Sequence, residues 1–114
     1  MKGKLSTHVL DTSGGRPATG VSIGVWRWQE GKRHLLKTVT TNADGRTDEP
    51  LLIGAEFQKG EYELVFQVGS YFAASPENSF LNEIPIRFRI LNSEENYHVP
   101  LLVSPWAYST YRGS

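Results

Sequence analysis

Three histidines are the residues best suited to proton transfer in this chain, because an imidazole titrates near neutral pH. His8 lies within "KLSTHVLD" and His98 within "YHVPLLV", and both stretches alternate like β-strands. The alternation puts His8 on one strand face with Ser6, and His98 on one face with Pro100. From these patterns alone, His8 is an exposed strand histidine, and His98 is a core histidine or part of a partly apolar pocket. His34 follows the turn "EGKR" and is expected to be solvated.

Arg46 is a further candidate for chemistry, since it directly follows an Asp44-Gly45 turn in "TNADGR". A guanidinium there is either an exposed hairpin arginine or a clamp for an anion or a carbonyl oxygen. The glycine-rich "GGRPATG" lacks the Lys-Ser/Thr ending of a phosphate-binding loop, and no Gly-x-Ser-x-Gly sequence is present. The histidines lack short metal-ligand spacings and the chain has no cysteine, so neither a metal site nor a cofactor is predicted.

The length and charge of the chain limit the classes of function. Its 114 residues suffice for one domain, predicted to span residues 1–114. Lys plus Arg and Asp plus Glu number 12 each, which disfavours DNA or RNA as a partner. No apolar stretch is long enough to cross a membrane, and the N-terminus lacks the apolar region of a secretory signal. Together with the absence of cysteine, these features predict a cytoplasmic protein with no nucleic-acid or membrane partner.

The segments that must position these side chains alternate between apolar and polar residues, with a period of two residues. Alternating apolar and polar residues indicate half-buried strands, and turns rich in Gly, Pro, Asn and Asp separate them. The segments are "KLSTHVLD", "VSIGVWRW", "HLLKTVT", "EYELVFQV", "IPIRFRI", "YHVPLLV" and a final strand from Tyr108 to the last residues. In "EYELVFQV", Glu61 and Glu63 fall on the face opposite to Tyr62. Short strands at this spacing predict an all-β sandwich or barrel.

Two features depart from the strand pattern. One short helix is predicted at Gly69 to Ala74, with Pro76 ending it. Pro100 is unusual within a central strand, because proline has no N–H to donate to a neighbouring strand. It is therefore expected at a sheet edge, at a bulge, or where its missing N–H faces a cavity.

Four segments of the chain, in order, resemble the 5-hydroxyisourate hydrolases, which are transthyretin-related proteins. They are "LSTHVLD", "PATGVSIGVWR", "TNADGR" and "YHVPLLVSPWAYSTYRGS", and the resemblance covers essentially the whole chain. It implies a transthyretin-like sandwich of two sheets, about eight strands in all, with one short helix. It also implies a homotetramer, a dimer of dimers with a central channel lined by the first and the last two strands.

The resemblance also implies a site and a reaction. Catalytic positions fall on His8, Arg46, His98 and Ser114, and substrate-binding positions on Tyr111, Arg112 and Gly113. The implied reaction is hydrolysis of 5-hydroxyisourate, the product of urate oxidation, to 2-oxo-4-hydroxy-4-carboxy-5-ureidoimidazoline. Under this hypothesis the two imidazoles share water activation and proton relay, and which of them is the base stays open. The guanidinium would hold substrate oxygens, and the terminal serine would orient water, substrate or a histidine.

In a tetramer, the face of the first strand that carries His8 would line the channel, which reverses its interpretation as a solvated residue. Two other functions stay open at this point. One is a carrier of a small aromatic ligand in the same channel, and the other is a structural or adhesion sandwich without a ligand. The two histidines, Arg46 and the terminal "YRGS" favour the enzyme, because transthyretin-type carriers lack them.

Overall fold

The computed structural model describes residues 3–73 and 79–113. Within these residues there are nine strands and one α-helix; seven of the strands match the segments predicted from the alternation, and the two-residue strands Arg16–Pro17 and Leu52–Ile53 were not predicted. The strands are β1 (Lys4–Asp11), β2 (Arg16–Pro17), β3 (Ser22–Gln29), β4 (Lys32–Thr40), β5 (Leu52–Ile53), β6 (Gly60–Gln67), β7 (Glu83–Ile90), β8 (Tyr97–Val103) and β9 (Tyr108–Thr110). The helix is α1 (Val68–Phe72), and a 3-10 turn covers Gly54–Glu56.

The strands form two sheets that pack face to face. One sheet has the order β2-β1-β8-β9, with β5 also paired to β1, and the other has the order β4-β3-β6-β7. Large apolar residues from both sheets fill the space between them. Fully buried examples are Leu5, Val9, Ile23, Val25, Tyr62, Leu64, Phe66 and Leu101. The predicted all-β sandwich of two sheets with one short helix is confirmed.

The pairing of β1 with β8 sets up the face that carries both candidate histidines. These two strands run parallel, with Ser6 opposite His98 and His8 opposite Pro100. Successive side chains of a strand point to opposite faces. Because Leu5, like the other inward residues of β1, is buried, Ser6 and His8 must lie on the outer face of the sheet. His98 lies on that same face of the adjacent strand, since it alternates with buried residues of β8.

Helix α1 continues directly from β6 and starts one residue before the predicted helix. Val68 and Phe72 are its buried residues, so the helix is held by its apolar side against the core. Ala73 ends it, whereas Ala74 and the predicted stop at Pro76 lie outside the described residues. In the part of the chain that the structure describes, no helix has both the length and the apolar character needed to cross a membrane.

The prediction of a strand running from Tyr108 to the last residues is wrong, because β9 ends at Thr110. The β8–β9 register would place Tyr111 opposite Pro100, and the same register resumes where His98 pairs with Gly113. Alternate pairs in an antiparallel ladder exchange both backbone hydrogen bonds, and Pro100 has no N–H for this exchange. The Thr110 hydroxyl instead donates to the Pro100 carbonyl at 2.7 Å. Proline therefore interrupts the ladder inside the sheet.

Glu63 lies on the outer face of the second sheet, as the alternation predicted, yet it is only 7% exposed. Its carboxylate accepts a hydrogen bond from Trp28 Nε1 at 2.9 Å and one from Arg33 Nη1 at 2.8 Å. The Arg33 guanidinium also lies over the Trp26 ring, and that of Arg87 lies over the Trp28 ring. Stacked tryptophan and arginine side chains thus cover the carboxylate.

Candidate active site

The parallel pairing of β1 and β8 brings a serine hydroxyl to one of the candidate histidines. Ser6 Oγ lies 2.9 Å from His98 Nδ1, although the two residues are 92 positions apart in the chain. Both side chains are half-buried on the outer face of the sheet. The bond engages one ring nitrogen of His98, and among the described residues none hydrogen-bonds to its Nε2.

His8 is oriented by the backbone of the turn that precedes Arg46. Its Nε2 lies 2.8 Å from the carbonyl oxygen of Asp44. A backbone carbonyl can only accept a hydrogen bond, so Nε2 of His8 must carry the proton and donate. The neutral ring then keeps its lone pair on Nδ1. His8 is half-buried rather than fully solvated.

Asn42 organises the turn that carries Arg46. Its side-chain oxygen accepts hydrogen bonds from the backbone N–H groups of Asp44, at 2.9 Å, and Arg46, at 3.2 Å. Gly45 has a φ of +76°, and a Cβ there would lie 2.4 Å from the carbonyl oxygen of Val9. The Gly45 carbonyl in turn accepts from the Val9 N–H at 2.8 Å. The turn is therefore docked onto β1 at a point where only glycine fits.

The pKa of His98 depends on two of the other predicted catalytic residues, Arg46 and His8. Burial lowers the pKa of His98 below the ordinary 6.5, and the charges of Arg46 and His8 lower it further. Arg46 is exposed and lines a groove of about 270 Å³ together with Ser6, the partner of His98. The fold thus brings His8, Arg46 and His98, three of the four predicted catalytic residues, to one place.

The chain end also meets this site. The N–H of Gly113 donates to the carbonyl of His98 at 2.7 Å. A Cβ on Gly113 would lie 2.8 Å from Cδ2 of the His98 ring, so this backbone packs directly against the imidazole. Ser114, the fourth predicted catalytic residue, lies outside the described residues.

Arg112 is directed away from the imidazoles. Its Nη2 donates to the Glu95 carboxylate at 2.9 Å, and its guanidinium lies over the Tyr97 ring at 4.1 Å from the centroid. Tyr97 and His98 are successive strand residues, so their side chains point to opposite faces of the sheet. The Arg112 guanidinium therefore lies on the opposite face from the His98 ring.

The two remaining polar candidates, Tyr111 and His34, are both exposed. Tyr111 is 60% exposed and lines, with Arg112, a groove of about 250 Å³ between β7 and β9. His34 is exposed on β4 of the other sheet, as the sequence predicted. The structure therefore separates Arg112 and His34 from the His8–Arg46–His98 cluster.

Sequence reasoning did not single out the residues that hold the cluster in place. Ser6 shares a strand face with His8, but its bond to His98 depends on a pairing of strands distant in the chain. Asn42 could have been found, since an asparagine that opens a turn commonly accepts hydrogen bonds from the following backbone. Among the described residues, no group of three or more His, Asp or Glu side chains is arranged to hold a metal ion. The side chains that the cluster itself offers for chemistry are two imidazoles and one guanidinium.

Comparisons with known proteins show the family of the chain. The model of the HIUase/transthyretin family matches residues 5–113. The chain is 53% identical to a 5-hydroxyisourate hydrolase 2 of Rhizobium meliloti, with 98% of this chain and 97% of that protein covered.

Two solved structures share the fold. The crystal structure of an (S)-allantoin synthase is 46% identical, with a TM-score of 0.92 over 99% of this chain; the chain spans 44% of that protein's length. A 5-hydroxyisourate hydrolase from Klebsiella pneumoniae is 37% identical, with a TM-score of 0.81 over 98% of this chain and 94% of that one. With a family model matching nearly its entire length, the chain belongs to the HIUase/transthyretin family.

Proposed function

We propose that this protein hydrolyses 5-hydroxyisourate to 2-oxo-4-hydroxy-4-carboxy-5-ureidoimidazoline. The observation that carries the proposal is the convergence of His8, Arg46 and His98 on one outer sheet face. The names of relatives such as the Rhizobium meliloti hydrolase support the choice of substrate. The reaction requires a base for water, donors for a developing oxyanion and a means of orienting a flat ring. This cluster offers the first two.

In the proposed reaction, a neutral imidazole removes a proton from water. The water oxygen bonds to a ring carbonyl carbon, and the resulting tetrahedral oxyanion collapses with cleavage of the ring C–N bond. The proton passes to the departing nitrogen, so the ring opens to one product that carries a ureido group and a carboxylic acid, and the acid releases its proton to solvent as it ionises. General-base catalysis of this kind typically contributes about 10²–10⁴-fold. The lowered pKa of His98 suits this role, because burial and the nearby charges keep the ring neutral near pH 7.

Arg46 supplies the donors for the oxyanion in this proposal. The guanidinium is exposed, and it donates no hydrogen bond to any other residue within the described part of the chain. Its planar N–H groups are therefore available for substrate oxygens. Removal of one oxyanion donor from a shielded site commonly costs about 10²–10³-fold in turnover.

The C-terminal residues have a supporting role in the proposal. Ser114 would orient water, substrate or an imidazole through its hydroxyl or carboxylate, and the contact of Gly113 with the His98 ring supports this assignment. The contacts of Arg112 with Glu95 and Tyr97 favour anchoring of the segment over direct contact with substrate. The sequence-based assignment of Tyr111 to substrate binding stays a prediction.

The proposal includes a homotetramer, a dimer of dimers whose channel is lined by β1, β8 and β9. Strand β9 is an open edge of its sheet, and Tyr108 on it is 45% exposed. Phe80 and Trp106, at 73% and 60% exposed, stack on each other with ring centroids 6.4 Å apart. Exposed apolar clusters of this kind commonly mark contacts between proteins. Light scattering on the purified protein would measure the mass, and a folded, fully active monomeric variant would contradict a channel site.

One assay tests the function against both alternatives. Urate oxidase generates 5-hydroxyisourate in the cuvette, the protein is added, and the decay of the near-UV absorbance is followed. We expect decay faster than the spontaneous rate, in proportion to the protein added. Saturable binding of the substrate without acceleration would instead indicate a carrier, and neither effect would indicate a structural sandwich.

Two further predictions rest on the sequence. Residues 1–114 are proposed to fold as one domain, which a single cooperative unfolding transition would support. A cytoplasmic location is proposed from the composition, and fractionation of producing cells would test it.

A further inference from the structure

The imidazole ring of His98 is contacted on both sides of Cγ, the ring atom that joins it to the rest of the side chain. On one edge, Nδ1 lies 2.9 Å from Ser6 Oγ on the neighbouring strand. On the other edge, the backbone at Gly113 approaches so closely that a Cβ there would lie 2.8 Å from Cδ2. Nδ1 and Cδ2 are the two ring atoms bonded to Cγ. The far end of the ring, with Nε2, is therefore the part left free for chemistry.

A neutral imidazole has one N–H, and the hydrogen bond made by one nitrogen decides which nitrogen carries it. If Nδ1 of His98 donates to Ser6 Oγ, the lone pair lies on Nε2 and can take a proton from water. If the Ser6 hydroxyl donates instead, Nε2 carries the proton and the ring cannot act as a base there. The choice made at Ser6 thus determines whether His98 is a base or a donor.

We propose that Ser6 is a positioning residue that accepts the Nδ1 hydrogen bond of His98 and thereby keeps Nε2 as the proton acceptor of the site. The proposal rests on the hydrolase function proposed above. It also makes the two histidines unlike, since the carbonyl of Asp44 holds the proton of His8 on Nε2. His8 would then present Nδ1 and His98 would present Nε2.

A Ser6 hydroxyl that accepts from Nδ1 suits proton transfer to and from Nε2 of His98 better than one that donates to Nδ1. When Nε2 takes a proton, the imidazolium donates from both nitrogens, so an accepting Ser6 needs no reorientation during the reaction. The new charge forms next to Arg46 and His8, both of which disfavour it. Lys4, Asp48 and Glu49 line the groove that Ser6 shares with Arg46. The serine oxygen is then the neutral acceptor that stabilises the imidazolium, and a bond to a charged donor is stronger than one to a neutral donor.

The tautomer can be measured directly in the wild-type protein by ¹⁵N NMR of labelled histidine, with the His98 signals assigned from their loss in His98→Gln. We expect a protonated Nδ1 and an unprotonated Nε2 above the pKa of the ring. In Ser6→Ala, the proton should move to Nε2, which an unrestrained imidazole prefers. Ser6→Thr keeps the hydroxyl and should keep the wild-type tautomer. Ser22→Ala on β3 removes a hydroxyl from the other sheet and should change nothing.

The kcat of the Ser6 variants should change together with the tautomer of His98. Loss of the hydrogen-bond partner that orients a functional histidine typically costs about 10- to 100-fold in activity. We expect that loss in kcat for Ser6→Ala, with KM little changed, and recovery in Ser6→Thr. The acid limb of the pH profile should move to lower pH in Ser6→Ala, because the imidazolium loses its acceptor.

A wild-type His98 with its proton on Nε2 would overturn the proposal, as would an unchanged tautomer and pH profile in Ser6→Ala. The NMR readout needs no substrate, so it separates this proposal from the proposed function. Wild-type protein that fails to hydrolyse 5-hydroxyisourate but shows the expected tautomer would refute the function and keep the role of Ser6. Wild-type protein that hydrolyses 5-hydroxyisourate but carries the His98 proton on Nε2 would keep the function and refute the role of Ser6.

Discussion

The backbone of Gly113 lies against the imidazole of His98, and the two residues are also joined by a 2.7 Å hydrogen bond between the Gly113 N–H and the His98 carbonyl. The interruption of the β8–β9 ladder at Pro100 separates this contact from the rest of the pairing. A short segment after β9 therefore forms one side of the site, and within the described residues it meets the ring through Gly113, which has no side chain.

Gly113→Ala is accordingly expected to impair the site. The added methyl group would lie 2.8 Å from Cδ2 and 3.3 Å from Cγ of His98, so the ring or the terminal segment must shift. Displacement of a catalytic group by about 1 Å can cost about 10²-fold in rate, and we expect a loss of kcat of that order. The matched control is Gly24→Ala on β3, where the atoms nearest to the methyl group would be side-chain atoms of Trp26 and Leu35, the first also at 2.8 Å. Equal activity of the two variants in the near-UV assay would show that the contact is unimportant.

The pH profile should report the surroundings of His98. Its pKa is lowered, so the acid limb of kcat/KM is expected below pH 6.5 in the wild-type enzyme. Arg46→Ala removes one of the charges that disfavour the imidazolium and should move the limb upward, while Arg46→Lys should leave it in place. Burial, the larger cause, persists in both variants, so the shift stays partial. An acid limb that is identical in the alanine and lysine variants would contradict this coupling.

The same lowered pKa makes a prediction for stability. Between the folded pKa and 6.5, the unfolded chain binds more protons at His98 than the folded chain does. The free energy of unfolding therefore falls as the pH drops below 6.5 through this window. His98→Gln should lack this part of the pH dependence, which denaturant unfolding at a series of pH values would measure. A pH dependence unchanged by the substitution would assign it to other groups.

Asn42→Ala should reduce activity without touching either imidazole. Its side-chain oxygen holds the backbone N–H groups of Asp44 and Arg46, so its loss should release both the guanidinium and the carbonyl that orients His8. We expect about a 10- to 100-fold loss of kcat/KM, together with about 1–2 kcal/mol of stability from the lost hydrogen bonds. Asn42→Asp keeps the accepting oxygen and should retain more activity than the alanine variant. Full activity of Asn42→Ala would show that the turn is held by other contacts.

Two carboxylates on the outer face of the second sheet should differ in their effect on stability. Glu63→Ala leaves the Trp28 indole N–H and Arg33 without their acceptor in a largely covered position, at a cost of about 1–3 kcal/mol. Glu61 makes a more exposed pair with Arg87, and Glu61→Ala should cost about 1 kcal/mol or less. Chemical unfolding of both variants measures the difference. Equal costs would mean that the burial of Glu63 has no energetic consequence.

Much of the fold could be predicted because strand periodicity is local. The seven alternating segments are strands, and apolar residues of their alternation, such as Ile23, Leu64 and Phe66, are fully buried. The three side chains that converge could also be named beforehand, because each lies in a short segment that resembles the family. The matches to that family confirm the resemblance on which they were chosen.

The features that could not be predicted from the sequence depend on which strands become neighbours. The bond between Ser6 and His98 exists only because β1 and β8 pair in parallel, and the early end of β9 follows from the position that Pro100 takes opposite Tyr111. The burial of Glu63 likewise requires side chains from adjacent strands to close over it. Alternation shows which face a residue occupies, whereas the partner it meets on that face is set by register. For His98, that register decides which ring nitrogen meets Ser6 and which is left without a partner among the described residues.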